Sequence, residues 1–259
     1  MAYKDLLVVV DSSAAAPERL RIAAELAERF DAHLAGLYVA RASRPEQPEA
    51  QDQARSLFEG IVGPRRISVG WRVMSGFPAD AVATEARCAD LVIIGQLDPG
   101  DPLAPVDHPR PEEIALSIGR PVLIVPYVGK YPTLGQRVVI AWDGSREATR
   151  AVNDALPFLA AASSITVLMV DPAGNYEKGE EHGAAIAAHL GRHGIYARIV
   201  TTVSDGMGVG DILLSRASDL CADLLIMGAY AHSRVRELVT GGATRTILKS
   251  MTLPVLMAH

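Results

Sequence analysis

Two segments in the second half of the chain hold residues whose types and spacing suit chemistry: Asp143-Gly144-Ser145 and GAYAHSRVRELVTGGATRTIL, which starts at Gly228. In the latter, small residues at Gly228 and Ala231 are followed, after nine residues, by Gly241-Gly242-Ala243-Thr244 leading into an expected helix. Small residues let backbone N–H groups approach a phosphate closely, and a helix N-terminus adds unpaired donors and a positive dipole end. The guest such a loop suits is an anion, above all a nucleotide phosphate; the plainer alternative is a flexible turn before a helix.

These segments must be positioned by a sheet, and the sequence shows it twice. CADLVIIG at 88–95 returns as CADLLIMG at 221–228, an offset of 133 with six of eight residues identical. RPVLIV starting at Arg120 returns as LPVLMA starting at Leu253 at the same offset, and LLVVVDSS matches VVIAWDGS with Asp11 and Asp143 offset by 132. The chain therefore reads as a tandem duplication. In the second half, strands at 137–142, 165–170, 197–203, 223–227 and 254–257 alternate with helices expected at 146–160, 179–193, 211–220 and 244–250. Strands apolar on both faces, alternating with helices, imply a doubly wound α/β domain with a parallel sheet covered on both sides. Ligands of such sheets sit beyond the carboxyl ends of the strands where the winding reverses, after strands one and four. YVGKYPTLGQ, at 127–136, is the expected linker, dividing the chain into residues 1–130 and 131–259.

The terminal segment and its flanking strands resemble the universal stress protein family, whose nucleotide-binding members carry G-x-x-G, nine residues, then G-(S/T) after strand four. The resemblance covers nearly the whole chain, through the strand ending in Asp143, DLLIMG, HSRVREL and the terminal LPVL. Ala231 stands at the second motif glycine and Gly242 at the Ser or Thr, with Thr244 able to supply a hydroxyl. The resemblance implies two five-stranded, adenine nucleotide hydrolase-like domains of strand order 3-2-1-4-5. By position, adenine and ribose contacts fall on Ala141, Asp143, Val170, Met227 and Gly228. Phosphate contacts fall on Tyr230, Ala231, Gly241, Gly242, Ala243 and Thr244, with Arg234 or Arg236 toward the terminal phosphates. It also implies ATP as the cofactor, with Mg²⁺ held through the phosphates and Asp143. Family members dimerise by pairing their last strands, which here would join Val122–Val125 to Val255–Met257 within one chain or extend to a homodimer.

The first half departs from this pattern. Asp98 replaces Ala231, His108-Pro109 replaces Gly241-Gly242, and Pro99, Pro102, Pro105, Pro109 and Pro111 crowd the loop. Proline has no N–H to give a phosphate, and Asp98 and Asp101 repel one. Asp11 is left to cap its turn. Elsewhere, Gly206-Met207-Gly208-Val209-Gly210 reads as a turn because it follows strand three and lacks the last glycine of a dinucleotide fingerprint. His189 and His193, four apart with His182 two turns back, read as a solvated helix face, and Cys88 and Cys221 as small buried residues. Trp142 stacks on adenine or serves as a core or interface aromatic.

The 259 residues, net charge −5, 49% hydrophobic and 21% charged content give one or two ordinary compact domains and exclude disorder and collagen. Scattered charge gives no footprint for nucleic acid or anionic lipid. The absence of a long apolar stretch, of a signal pattern after Met1 and of any CxxC pair points to a cytoplasmic protein. No Walker lysine, G-x-S-x-G elbow or H-E-x-x-H is present. The expectation is a stress-response binding or regulatory module with one nucleotide site, in the second half. A nucleotide-free scaffold and a slow ATP hydrolase stand as alternatives.

Overall fold

The computed structural model describes all residues except 1, 41–46, 102–107, 172–175 and 231–241, along with the side chains of 47, 171 and 176–182. The chain divides into two compact units, Met1–Tyr131 and Pro132–His259.

The first unit holds five parallel strands in the order β3-β2-β1-β4-β5: β1 (Asp5–Val9), β2 (His33–Ala40), β3 (Val69–Ser75), β4 (Leu91–Gly95) and β5 (Val122–Val125). Helices α1 (Ala16–Phe30), α2 (Gln47–Val62), α3 (Pro78–Glu85) and α4 (Pro111–Ser117) connect them. β1 is central because Leu6, Leu7, Val8 and Val9 are all buried, which a strand tolerates only when both faces are covered. β3, with Val69 45% and Val73 40% exposed, has the half-solvated character of an edge.

The second unit repeats the order as β8-β7-β6-β9-β10: β6 (Arg137–Ala141), β7 (Ser164–Asp171), β8 (Arg198–Val203), β9 (Leu224–Gly228) and β10 (Val255–Ala258). Its helices are α5 (Arg146–Asp154), α6 (Leu156–Leu159), α7 (Tyr176–Arg192), α8 (Val209–Asp219) and α9 (Ala243–Ser250). The expected strand order, with its winding reversal between the first and fourth strands, is borne out in each unit.

Two expectations are corrected. The helix expected at 146–160 breaks at Ala155, because Pro157 lacks an N–H and disfavours continued helix through the residues before it. Cys88 and Cys221 are exposed, not buried: Cys88 ends a 3₁₀ turn and Cys221 takes a left-handed φ of 48° in the turn after α8. The working residue of the repeated CADL is its aspartate. Asp90 Oδ2 accepts the Lys4 and Asp5 N–H groups at 2.7 and 3.1 Å, and Asp223 accepts those of Gln136 and Arg137 at 3.1 and 2.9 Å. In each unit this carboxylate ties the start of the first strand to the fourth. Among the described residues no helix is long and apolar enough to cross a membrane.

Candidate functional site

In the second unit the carboxyl ends of β7, β6 and β9 lie side by side and carry the expected residues. Ala141 ends β6 opposite Leu168, Val170 stands two residues farther along β7, and Met227 and Gly228 close β9. β6 pairs with β9 through Ile140 and Ile226, so Ala141 and Met227 follow together at the winding reversal. Met227 is 4% exposed, and what it presents at this edge is its backbone.

After β6 the chain turns at Gly144, whose φ of 75° suits a residue without Cβ. Asp143 Oδ1 accepts the Ser145 N–H at 2.9 Å and closes the turn, and Ser145 Oγ accepts the Ala148 N–H at 3.1 Å as the N-cap of α5. Asp143 is exposed, and among the described residues its second oxygen meets no ion-pair partner. Burial pushes the neighbouring Glu147 carboxyl up, but contact with the Arg146 guanidinium outweighs it and leaves Glu147 below the usual carboxylate range. Trp142 is half-buried, and its indole Nε1 is enclosed without a hydrogen-bond partner among the described residues.

Beyond β9, Tyr230 adopts a left-handed φ of 56° and donates its N–H to Thr244 Oγ1 at 3.1 Å. Thr244 is buried, so its hydroxyl is a strut between the loop after β9 and the first turn of α9. Gly242 is the N-cap of α9, without a side-chain cap. Among the described residues the N–H groups of Gly242, Ala243 and Thr244 donate no hydrogen bond, which leaves three donors at the positive end of a helix dipole. Ala231, Gly241, Arg234 and Arg236 lie outside the described residues.

α9 is held in place partly by the glycine-rich stretch that the sequence marks as a turn. Gly206, with φ 82°, makes the turn, Gly208 is the N-cap of α8, and Gly210 packs against α9. A Cβ at Gly210 would stand 2.6 Å from Thr246 Cβ and 3.0 Å from the Ala243 carbonyl oxygen. Gly210→Ala should therefore push α9 away and cost about 1–3 kcal/mol in urea unfolding of this unit; a wild-type midpoint would show that the two helices yield without strain. His189 is half-buried and His193 exposed, with rings 4.9 Å apart. Among the described residues no three metal-ligating side chains gather.

The first unit builds the same place differently. Asp11 Oδ1 accepts the Ser13 N–H at 2.9 Å and its hydroxyl at 2.5 Å, the cap expected from sequence. Its Oδ2 is taken by Arg19 Nη2 at 2.6 Å, and His108 Nδ1 lies 3.2 Å away. Arg19 is 1% exposed, and its Nε donates to the Val9 carbonyl at 3.0 Å. Burial pushes the Asp11 carboxyl up, but Arg19, with His108 and Ser13, holds it far below the usual carboxylate range. A cavity of about 260 Å³ opens here, and Asp98 and Asp101 line it. Arg19 is what sequence reasoning missed; the available signal was an arginine on the apolar stripe of α1, eight residues after Asp11.

Residues 135–259 match the model of the universal stress protein family. The chain is 30% identical over 148 residues to the universal stress protein Slr1230 of Synechocystis sp., a match covering 56% of this chain and 49% of that protein, so it spans about half the length of that relative. In structure it is similar to a universal stress protein from Archaeoglobus fulgidus, with a TM-score of 0.77 and 14% identity over 98% of this chain and 96% of that one. An A. fulgidus universal stress protein solved in complex with dAMP aligns with 48% of this chain and 98% of its own, at TM-score 0.39 and 20% identity.

Proposed function

Because this chain belongs to the universal stress protein family through its residues 135–259, we propose that its second unit binds an adenine nucleotide, ATP in the first instance, and that the protein acts as a binding module. The observation that carries this reading is the pairing of an exposed Asp143 carboxylate with the N–H groups of Gly242, Ala243 and Thr244, which donate no hydrogen bond among the described residues. The carboxylate suits the hydroxyls of a sugar, and the helix end suits the charge of a polyphosphate. Mg²⁺, when bound with the nucleotide, would neutralise phosphate charge near Asp143. The Tyr230–Thr244 hydrogen bond ties the end of β9 to the helix start, which orders the first turn of α9 before a ligand arrives.

Among the described residues the first unit offers no such pair. Arg19 covers its carboxylate, and Pro109 and Pro111 bring no N–H to the loop that leads into α4. Hydrogen exchange of the full chain with and without saturating ATP tests the reading. Protection is expected at 142–145, 228–230 and 242–246. Protection confined to 9–15 and 95–98, or none anywhere, would overturn it.

A further inference from the structure

Asp11 and Asp143 hold the same kind of turn with one oxygen and differ in what meets the other. Arg19 occupies the helix position that Ala151 fills in the second unit, an offset of 132 that also relates the two aspartates and Ser13 to Ser145. Two hydrogen bonds and one close approach place the Arg19 guanidinium. Nε reaches the Val9 carbonyl, Nη2 reaches Asp11, and Nη1 lies 2.3 Å from where a Cβ on Gly95 would stand. It thus rests against the glycine that closes β4. In the second unit the matching Gly228 instead packs directly on α5, where a Cβ would stand 2.6 Å from the Ala148 nitrogen and 2.8 Å from Glu147 Cβ.

The cavity left beside Arg19 is about 260 Å³, just under the roughly 300 Å³ at which small-molecule pockets begin. Its walls remain suited to a sugar and a base: Ser13 and Gln96 bring hydrogen-bonding groups, and Val9, Leu97 and Tyr127 bring apolar surface. Asp98 and Asp101, on the same wall, repel phosphate.

We propose that Arg19 is a built-in occupant of the first unit's cleft: it takes the Asp11 oxygen and the space beside Gly95 that a nucleoside sugar needs, and its removal uncovers a second site selective for uncharged nucleosides. This rests on the reading that Asp143 receives a ribose in the second unit, from which the role of Asp11 is carried over.

The test is calorimetric titration of the full chain with adenosine, comparing D143A, in which the second site is disabled, with R19A/D143A. Arg19→Ala is expected to raise adenosine affinity about tenfold or more, the scale of one hydrogen bond to a charged group, with one adenosine bound per chain. ATP should gain nothing, because Asp98 and Asp101 remain. Since Arg19→Ala leaves the Asp11 carboxylate in an enclosed place with only Ser13 and His108 beside it, R19A/D11N/D143A is the companion variant. It removes the charge, keeps an acceptor oxygen and should show a smaller gain of about two- to tenfold, the scale of a neutral hydrogen bond. If both variants fold, by melting and circular dichroism, and bind adenosine no better than D143A, the proposal is overturned. The two readings fail separately: no ATP binding by the wild type, together with an adenosine gain in R19A/D143A, would reject the second-unit site and retain this one.

Discussion

Asp11→Ala is expected to lower the stability of the first unit by about 3–5 kcal/mol, the usual cost of leaving a buried charge without its partner. Arg19 is 1% exposed, and among the described residues its guanidinium pairs with that carboxylate alone. Asp143→Ala should shift the second unit by less than about 1 kcal/mol, because Asp143 is exposed and the N-cap of α5 is Ser145. Each unit carries its own reporter, Trp71 in the first and Trp142 in the second. Urea unfolding followed by fluorescence, with the other tryptophan changed to Phe, reads them apart; equal losses from the two Asp→Ala changes would contradict the contrast. Asp11 also sets a pH dependence. Its folded carboxyl titrates well below its unfolded one, so its contribution is complete above about pH 4 and drains away as the pH falls further. Asp11→Asn should flatten the acid limb of the stability curve below pH 4.

For ligand binding the order of importance reverses. Asp143→Ala should weaken ATP binding by about 10- to 100-fold, the range for a hydrogen bond to a charged group. Asp11→Asn should leave ATP affinity unchanged, because its outer oxygen is already bound to Arg19. Equilibrium dialysis of the folded variants decides this. An unchanged affinity in the Asp143 variant would remove the sugar-binding role from that residue.

The sheet was legible because its signal is local. LLVVV and DLLIM are apolar without alternation, which only a strand covered on both faces tolerates, and their repetition exposed the duplication. Pro157 lies within an apolar pattern whose helical period hid the break, since periodicity reports which face is buried and not whether the backbone is continuous. The cysteines were misplaced for a related reason. Composition favours burial, but their position one step ahead of the strand, in the turn, decides exposure. The Asp143 turn could be read from Asp-Gly-Ser alone. The Asp11–Arg19 pair could not: it depends on the end of a strand meeting the flank of the following helix, and on His108 arriving from the segment before α4.

The two misplaced thiols have a practical use. They are the chain's only cysteines, one on each unit at matching places, and both are open to reagents. The unaltered polypeptide thus comes with paired anchor points for spin labels or fluorophores, outside the turns at Asp11 and Asp143. Pulsed resonance or energy transfer between labels at Cys88 and Cys221 would register, without any engineering, whether adding ATP alters the separation of the two halves.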